Sequence, residues 1–157
     1  MSARVKGTHR GVPLQRIIYM AELLKFELVT PQRKVVSEEV DEISATGTLG
    51  EFGVLPGHAP FLTSLKIGEL SYKKGGTAYH LAVNAGYFEV VDDTVTVLVD
   101  SSERAEEIDL ERAKRAQVTA EEALKKLSQE DKEYKEMESA LQRALIRMQV
   151  AAKAARR

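Results

Sequence analysis

Every glycine and every proline in this 157-residue chain lies at or before Gly86, and none follows. A stretch that has no helix breakers and is rich in Ala, Leu, Glu, Lys, Gln and Arg favours long helices. The earlier part, broken repeatedly by glycine and proline, favours short elements joined by tight turns. The chain therefore divides into two regimes, with the boundary between Asp100 and Ile108. The domains expected are a leader or appended extension over 1–19, a β-sandwich over 20–104 and a helical hairpin over 105–157.

Between Met20 and Asp100 the apolar period is two. Leu24, Phe26 and Leu28 alternate with Lys25 and Glu27, and Val95, Val97 and Val99 with Thr94, Thr96 and Leu98. Leu81, Val83 and Ala85 form a third set. This alternation predicts half-buried strands. Turn signals at Gly47, Pro56-Gly57, Gly68, Gly75-Gly76 and Asp92-Asp93 predict many short strands in a sandwich or flattened barrel. Gly75-Gly76 reads as a two-residue hairpin turn, since glycine alone takes positive φ at both places without strain.

Beyond Ile108 the period becomes helical. Leu110, Ala113, Ala116 or Gln117, Ala120, Leu124 and Leu127 share one stripe; Tyr134, Met137, Leu141, Leu145, Met148 and Ala152 share another. The polar run Ser128–Asp131 between them predicts an antiparallel turn, and Asp109 is placed to cap the first helix. Both stripes are narrow and alanine-rich, so the hairpin buries little apolar area of its own. It reads as a movable element that needs a surface to dock on.

Charge follows the same division. Residues 20–100 carry six basic and twelve acidic side chains, while 101–157 carry thirteen and twelve. From Ser139 to Arg157 there are five basic residues and no acid, a face that an acidic partner would attract. The net charge of -1 gives no case for bulk nucleic-acid binding. With no cysteine there is no disulfide, thiolate zinc site or cysteine nucleophile. No apolar run reaches the length of a membrane-spanning helix. Residues 1–19 are basic and lack acids, like an organellar presequence, but have one serine and no amphipathic period. The expectation is a disordered leader, with Met20 opening the folded chain.

Few residues group as catalysts do. Gly47–Gly53 lacks the lysine and Ser/Thr of a phosphate loop and leads towards Pro56 rather than a helix. His58 has no partner at metal-ligand spacing, His80 lies within a strand, and no serine sits in an elbow beside a base. The hairpin offers more. With its turn centred near Gln129 and Glu130, Arg112 falls opposite Arg147, with Arg143 one turn away on the same face. Guanidinium forks gathered in this way suit phosphate oxygens, and Glu103 and Asp109 are the nearest carboxylates in sequence. The competing reading is of ordinary solvated arginines that favour a helix C-terminus through its dipole.

The run Gly50-Glu51-Phe52-Gly53-Val54-Leu55-Pro56-Gly57-His58-Ala59-Pro60-Phe61-Leu62-Thr63, followed by Lys66, Gly68 and Glu69, resembles the signature of the epsilon subunit family of F-type ATP synthases. The likeness continues through Asn84–Val90 and Ile108-Asp109-Leu110-Glu111-Arg112-Ala113, and spans Met20 to about Ala152. It implies a ten-stranded β-sandwich followed by two antiparallel helices. It also implies a central-stalk position on the gamma subunit and the c-ring, with Glu51 and His58 in the region that meets the c-ring. Such a chain is not an enzyme. It requires no cofactor, turns with the rotor, and reaches the membrane only through its complex. The host implied by default is a bacterium, at the cytoplasmic face of its inner membrane, ahead of thylakoid and mitochondrial versions.

In that family the hairpin either folds beside the sandwich or extends along gamma towards the alpha and beta subunits and suppresses ATP hydrolysis. Some members bind a regulatory ATP in the folded form, and Glu103, Ile108, Asp109, Arg112, Ala113, Arg143 and Arg147 match the residues involved. Where those members carry a further arginine in the first helix, this chain has Thr119, one cationic donor fewer. The alternatives are a free-standing ATP sensor and a β-sandwich adaptor that dimerises through its hairpin.

Overall fold

A computed structural model describes residues 22–154. The expectations for the leader, for Met20 and for Arg156 and Arg157 fall outside the described residues. Nine strands come first: β1 (Leu24–Val29), β2 (Lys34–Val40), β3 (Glu42–Gly47), β4 (Gly50–Val54), β5 (Phe61–Lys74), β6 (Thr77–Val83), β7 (Gly86–Val91), β8 (Thr94–Val99) and β9 (Ser102–Arg104). A 3-10 turn over Ala105–Glu107 leads into α1 (Leu110–Leu124) and α2 (Lys132–Ala154).

Hydrogen bonding runs β2-β1-β8-β7-β5-β3-β4, with β6 on β5 and β9 on β6. Among the described residues only β1 and β8 pair in parallel. One continuous network makes two layers because β5 changes partner along its length. Phe61–Leu65 pair with β7, whereas Gly68–Lys74 pair with β6. The same strand serves both sheets, so the described residues form nine strands where ten were expected. Had β5 been broken at its crossing, the count would have been ten.

The alternation read from sequence sets which side chains meet between the layers. Leu24, Phe26, Leu28, Val95 and Val97 are fully buried, together with Ile43, Leu70, Leu81 and Phe88. Edge-on aromatic contacts, Phe26 on Tyr72 at 5.4 Å and Phe52 on Phe88 at 4.9 Å, join strands that share no ladder and so cross the core. Gly75 and Gly76 both hold positive φ in the β5–β6 turn, as expected. Ala85 does not continue its strand: β6 ends at Val83, and the Ala85 N–H donates to the Asn84 side chain. Ala82, at an outward-facing position, is buried instead, because α2 lies across that face.

Asp109 caps α1, its Oδ1 accepting the Arg112 backbone N–H at 2.9 Å. The Ser128–Asp131 turn is closed by the Ser128 N–H on Asp131 Oδ2 at 2.6 Å. The helices meet through small side chains, with Ala113, Ala120 and Ala144 buried. The expected stripe on α2 is partly displaced. Leu145 and Ala152 are exposed, whereas Val150 is fully buried. The cause is that α2 serves two faces, one towards α1 and one towards the sandwich, where Val150 and Ile146 pack on Ala82, Ala105 and Ile108. This small cluster is separate from the main core.

Candidate functional site

Where β9 turns into α1, beside the middle of α2, lies a cleft of about 230 Å³ lined by Glu103, Glu107, Ile108, Asp109, Arg112, Ala113, Ala116 and Arg147. Six of the seven residues singled out for nucleotide contact lie here. Three elements bring them together: β9 supplies Glu103, the capped start of α1 supplies Asp109, Arg112 and Ala113, and α2 returns Arg147. The seventh, Arg143, lines an adjoining pocket that shares Glu103 and Arg147 and includes Ser102. The Ser102 hydroxyl is buried without a partner there.

Both glutamates of the cleft, and Arg147, are already paired. Arg147 Nε donates to Glu103 Oε2 at 2.6 Å. Arg33, from the β1–β2 turn, donates to Glu107 Oε2 at 2.7 Å, and the Arg104 backbone N–H reaches the same oxygen at 3.2 Å. The hydrogen bond from Arg33 is the main reason that the Glu107 carboxyl is held below the usual carboxylate range. Arg112 and Arg143 have no salt-bridge partner among the described residues. An anion entering the cleft thus finds Arg112 available and must displace Glu103 to use Arg147. The side chains of Ile108, Ala113 and Ala116 offer an apolar wall.

Glu51 and His58 lie apart from this cleft. Glu51 is exposed on β4, the edge strand of its layer, and His58 sits in the loop after it, Nδ1 at 2.7 Å from the Ala59 carbonyl and the ring edge-on to Phe61 at 5.8 Å. Asp93 Oδ1 fixes this loop by accepting the Gly57 N–H at 2.6 Å. Among the described residues, no helix is long and apolar enough to cross a membrane and no group of His, Asp and Glu is placed to hold a metal.

Sequence reasoning missed Glu107, Arg33 and the outer sheet face. Tyr87 and Leu98, cross-strand partners on β7 and β8, are 62% and 53% exposed, and Leu62 on β5 is 68% exposed. Outward apolar residues at alternate positions were the available signal.

Residues 23–105 match the family described as ATP synthase, Delta/Epsilon chain, beta-sandwich domain, and residues 106–152 its long alpha-helix domain. The chain belongs to the ATP synthase delta/epsilon family. It is 74% identical over 138 residues to the ATP synthase epsilon chain of Geobacter sulfurreducens, covering 88% of this chain and all of that one. It is 57% identical to ATP synthase epsilon chain 2 of Syntrophotalea carbinolica, over 87% of this chain and 99% of that one. A chain in the cryo-EM structure of the Euglena gracilis mitochondrial ATP synthase (OSCP, F1 and c-ring) superposes with TM-score 0.69 at 25% identity, covering 86% of this chain and 82% of that one. The family boundary between Ala105 and Glu106 falls within the 3-10 turn.

Proposed function

We propose that this chain is the central-stalk epsilon subunit of a bacterial F-type ATP synthase, a non-catalytic rotor part that couples the c-ring to gamma and restrains ATP hydrolysis with a detachable hairpin. Such a subunit is peripheral on the cytoplasmic face of the inner membrane, held there by its complex. The carrying observation is the division between two apolar clusters. The sandwich has its own core, while α2 rests on a second cluster whose buried members among the described residues are Ala82, Ala105 and Val150. Lifting the hairpin exposes little apolar surface and leaves the head's interior intact.

The opposite face supports a protein partner. Tyr87, Leu98 and Leu62 form an apolar patch that stays exposed among the described residues, as an interface with gamma requires. Glu51 and His58, at the β4 edge and the following loop, are assigned to the c-ring contact. In the released hairpin Arg147 and Lys153 lose Glu103 and Glu69 and become available to acidic surfaces of alpha and beta.

Regulatory ATP belongs in the cleft, its phosphates on Arg112, Arg147 and Arg143 and its base against Ile108 and Ala113. A ligand shifts a switch only through its difference in affinity for the two forms. ATP at a hundred times its dissociation constant would favour the docked hairpin by about 2.7 kcal/mol. Low ATP then frees the hairpin, which engages as the brake on hydrolysis. The test is reconstitution: the chain should co-purify with gamma, and removing the residues after Asp100 should raise hydrolysis by the assembled complex. A truncated complex that hydrolyses ATP no faster would rule out the brake.

A further inference from the structure

The last turns of α2 are held to the sheet at a single carboxylate. Glu69 on β5 accepts Lys153 Nζ at 2.7 and 2.6 Å, His80 Nδ1 at 2.6 Å and Gln149 Nε2 at 3.3 Å. Two of these donors come from the detachable helix and one from the fixed strand β6. The site is largely shielded, with the side chains of Glu69 and His80 only 16% and 20% exposed. No residue of the nucleotide cleft takes part.

From this geometry we infer that Glu69, His80 and Lys153 form a proton-sensitive latch, in which protonation of His80 weakens docking of the hairpin. While His80 is neutral, Lys153 is the one cation on Glu69. Lifting α2 then strips that carboxylate of its counter-charge. Once His80 takes a proton, two cations share one carboxylate while the helix is down, and their repulsion is relieved when Lys153 leaves. A protonated His80 stays behind as Glu69's partner, so the released form suffers less. Protonation of His80 therefore favours the released form, and docking weakens as pH falls.

The other charged groups around the latch do not reverse this sign. Across the groove shared by Glu69 and Lys153, β4 contributes Glu51, while β3 lines it with Ser44 and Thr46. Further along β5, Lys73 is held by Glu42 at 2.6 Å, and on β9 Glu103 is held by Arg147. The 3-10 turn beside α2 carries Glu106 and Glu107, the latter engaged by Arg33.

This inference rests on the hairpin being detachable, and the experiment separates the two ideas. The full chain, free of native cysteine, is labelled with a dye pair at Thr77→Cys and Ala152→Cys, both exposed positions, and the interdye distance is followed from pH 8 to pH 6. The released-to-docked ratio should rise up to about fivefold, the coupling of a partly exposed charge pair. His80→Gln should keep the docked distance at pH 8 and lose the response. Lys153→Gln, on the helix surface and harmless to the head's fold, should release more at every pH with a flattened profile. Val150→Asp places an unpaired carboxylate in the docking cluster and should release the hairpin at any pH. Release in Val150→Asp with an unchanged pH response in His80→Gln, or with no pH response in the parent, overturns the latch alone. No release even in Val150→Asp overturns detachability and the latch together.

Discussion

Val150 is fully buried in the docking cluster and absent from the main core, so Val150→Ala probes attachment without touching the sandwich. The change removes two methyl groups, worth about 0.8 kcal/mol each on transfer from water, or about 1.6 kcal/mol in all. At about 1.4 kcal/mol per tenfold, the docked-to-released ratio should fall about fifteenfold. A reporter exists beneath the helix: Ala82 is 8% exposed because α2 covers it, so the thiol of Ala82→Cys is reachable mainly when the hairpin lifts. Its labelling rate should rise about fifteenfold in the Val150→Ala background. A control thiol at Val97→Cys, inside the sandwich core, should label at the same slow rate with or without Val150→Ala. If both thiols speed up together, the hairpin and the head unfold as one unit and the reasoning fails.

Other outcomes follow from particular contacts. Calorimetric titration with MgATP should show saturable binding that weakens at least tenfold in Arg143→Ala and in Arg147→Ala; equal affinity in both variants would remove the assigned site. The Glu107 carboxyl is held low by Arg33, so its ion pair stabilises the fold above the ordinary carboxylate range and is lost as pH falls through its depressed folded value. In Arg33→Ala an NMR titration should find Glu107 moved upward, and an unmoved midpoint would contradict that pairing. Gly86→Ala places a Cβ 2.0 Å from the Leu98 carbonyl oxygen, a backbone atom that cannot step aside. Urea unfolding should register a loss of about 3 kcal/mol, towards the top of the overpacking range. Leu98→Asp should abolish co-purification with gamma while leaving the melting temperature of the isolated chain unchanged, since Leu98 points outward.

What could be read from sequence is what local period encodes. Alternation at Leu24–Leu28 and Val95–Val99 placed their inward side chains, because a strand's two faces follow from neighbouring residues alone. Arg112 and Arg147 were brought into one cleft by simple hairpin arithmetic. What escaped was set by partners distant in sequence. Ala82 looks like an outward residue until α2 covers it, and the buried face of α2 shifts to Val150 because the helix answers to the sheet as well as to α1. The length of β5 depends on its exchanging β7 for β6, which no local pattern marks. His80 is unremarkable in its strand, and its role emerges only when Glu69 and Lys153, far away in sequence, are seen on the same oxygen atoms.

The most direct test of a rigid head with a detachable hairpin is the position of α2 within the assembled complex at high and at low ATP. Density or distance measurements should place Val150 against Ala82 at high ATP and lift it away, towards the catalytic subunits, when ATP is depleted. An α2 that stays seated on the sheet under both conditions, while hydrolysis is nonetheless restrained, would contradict the account.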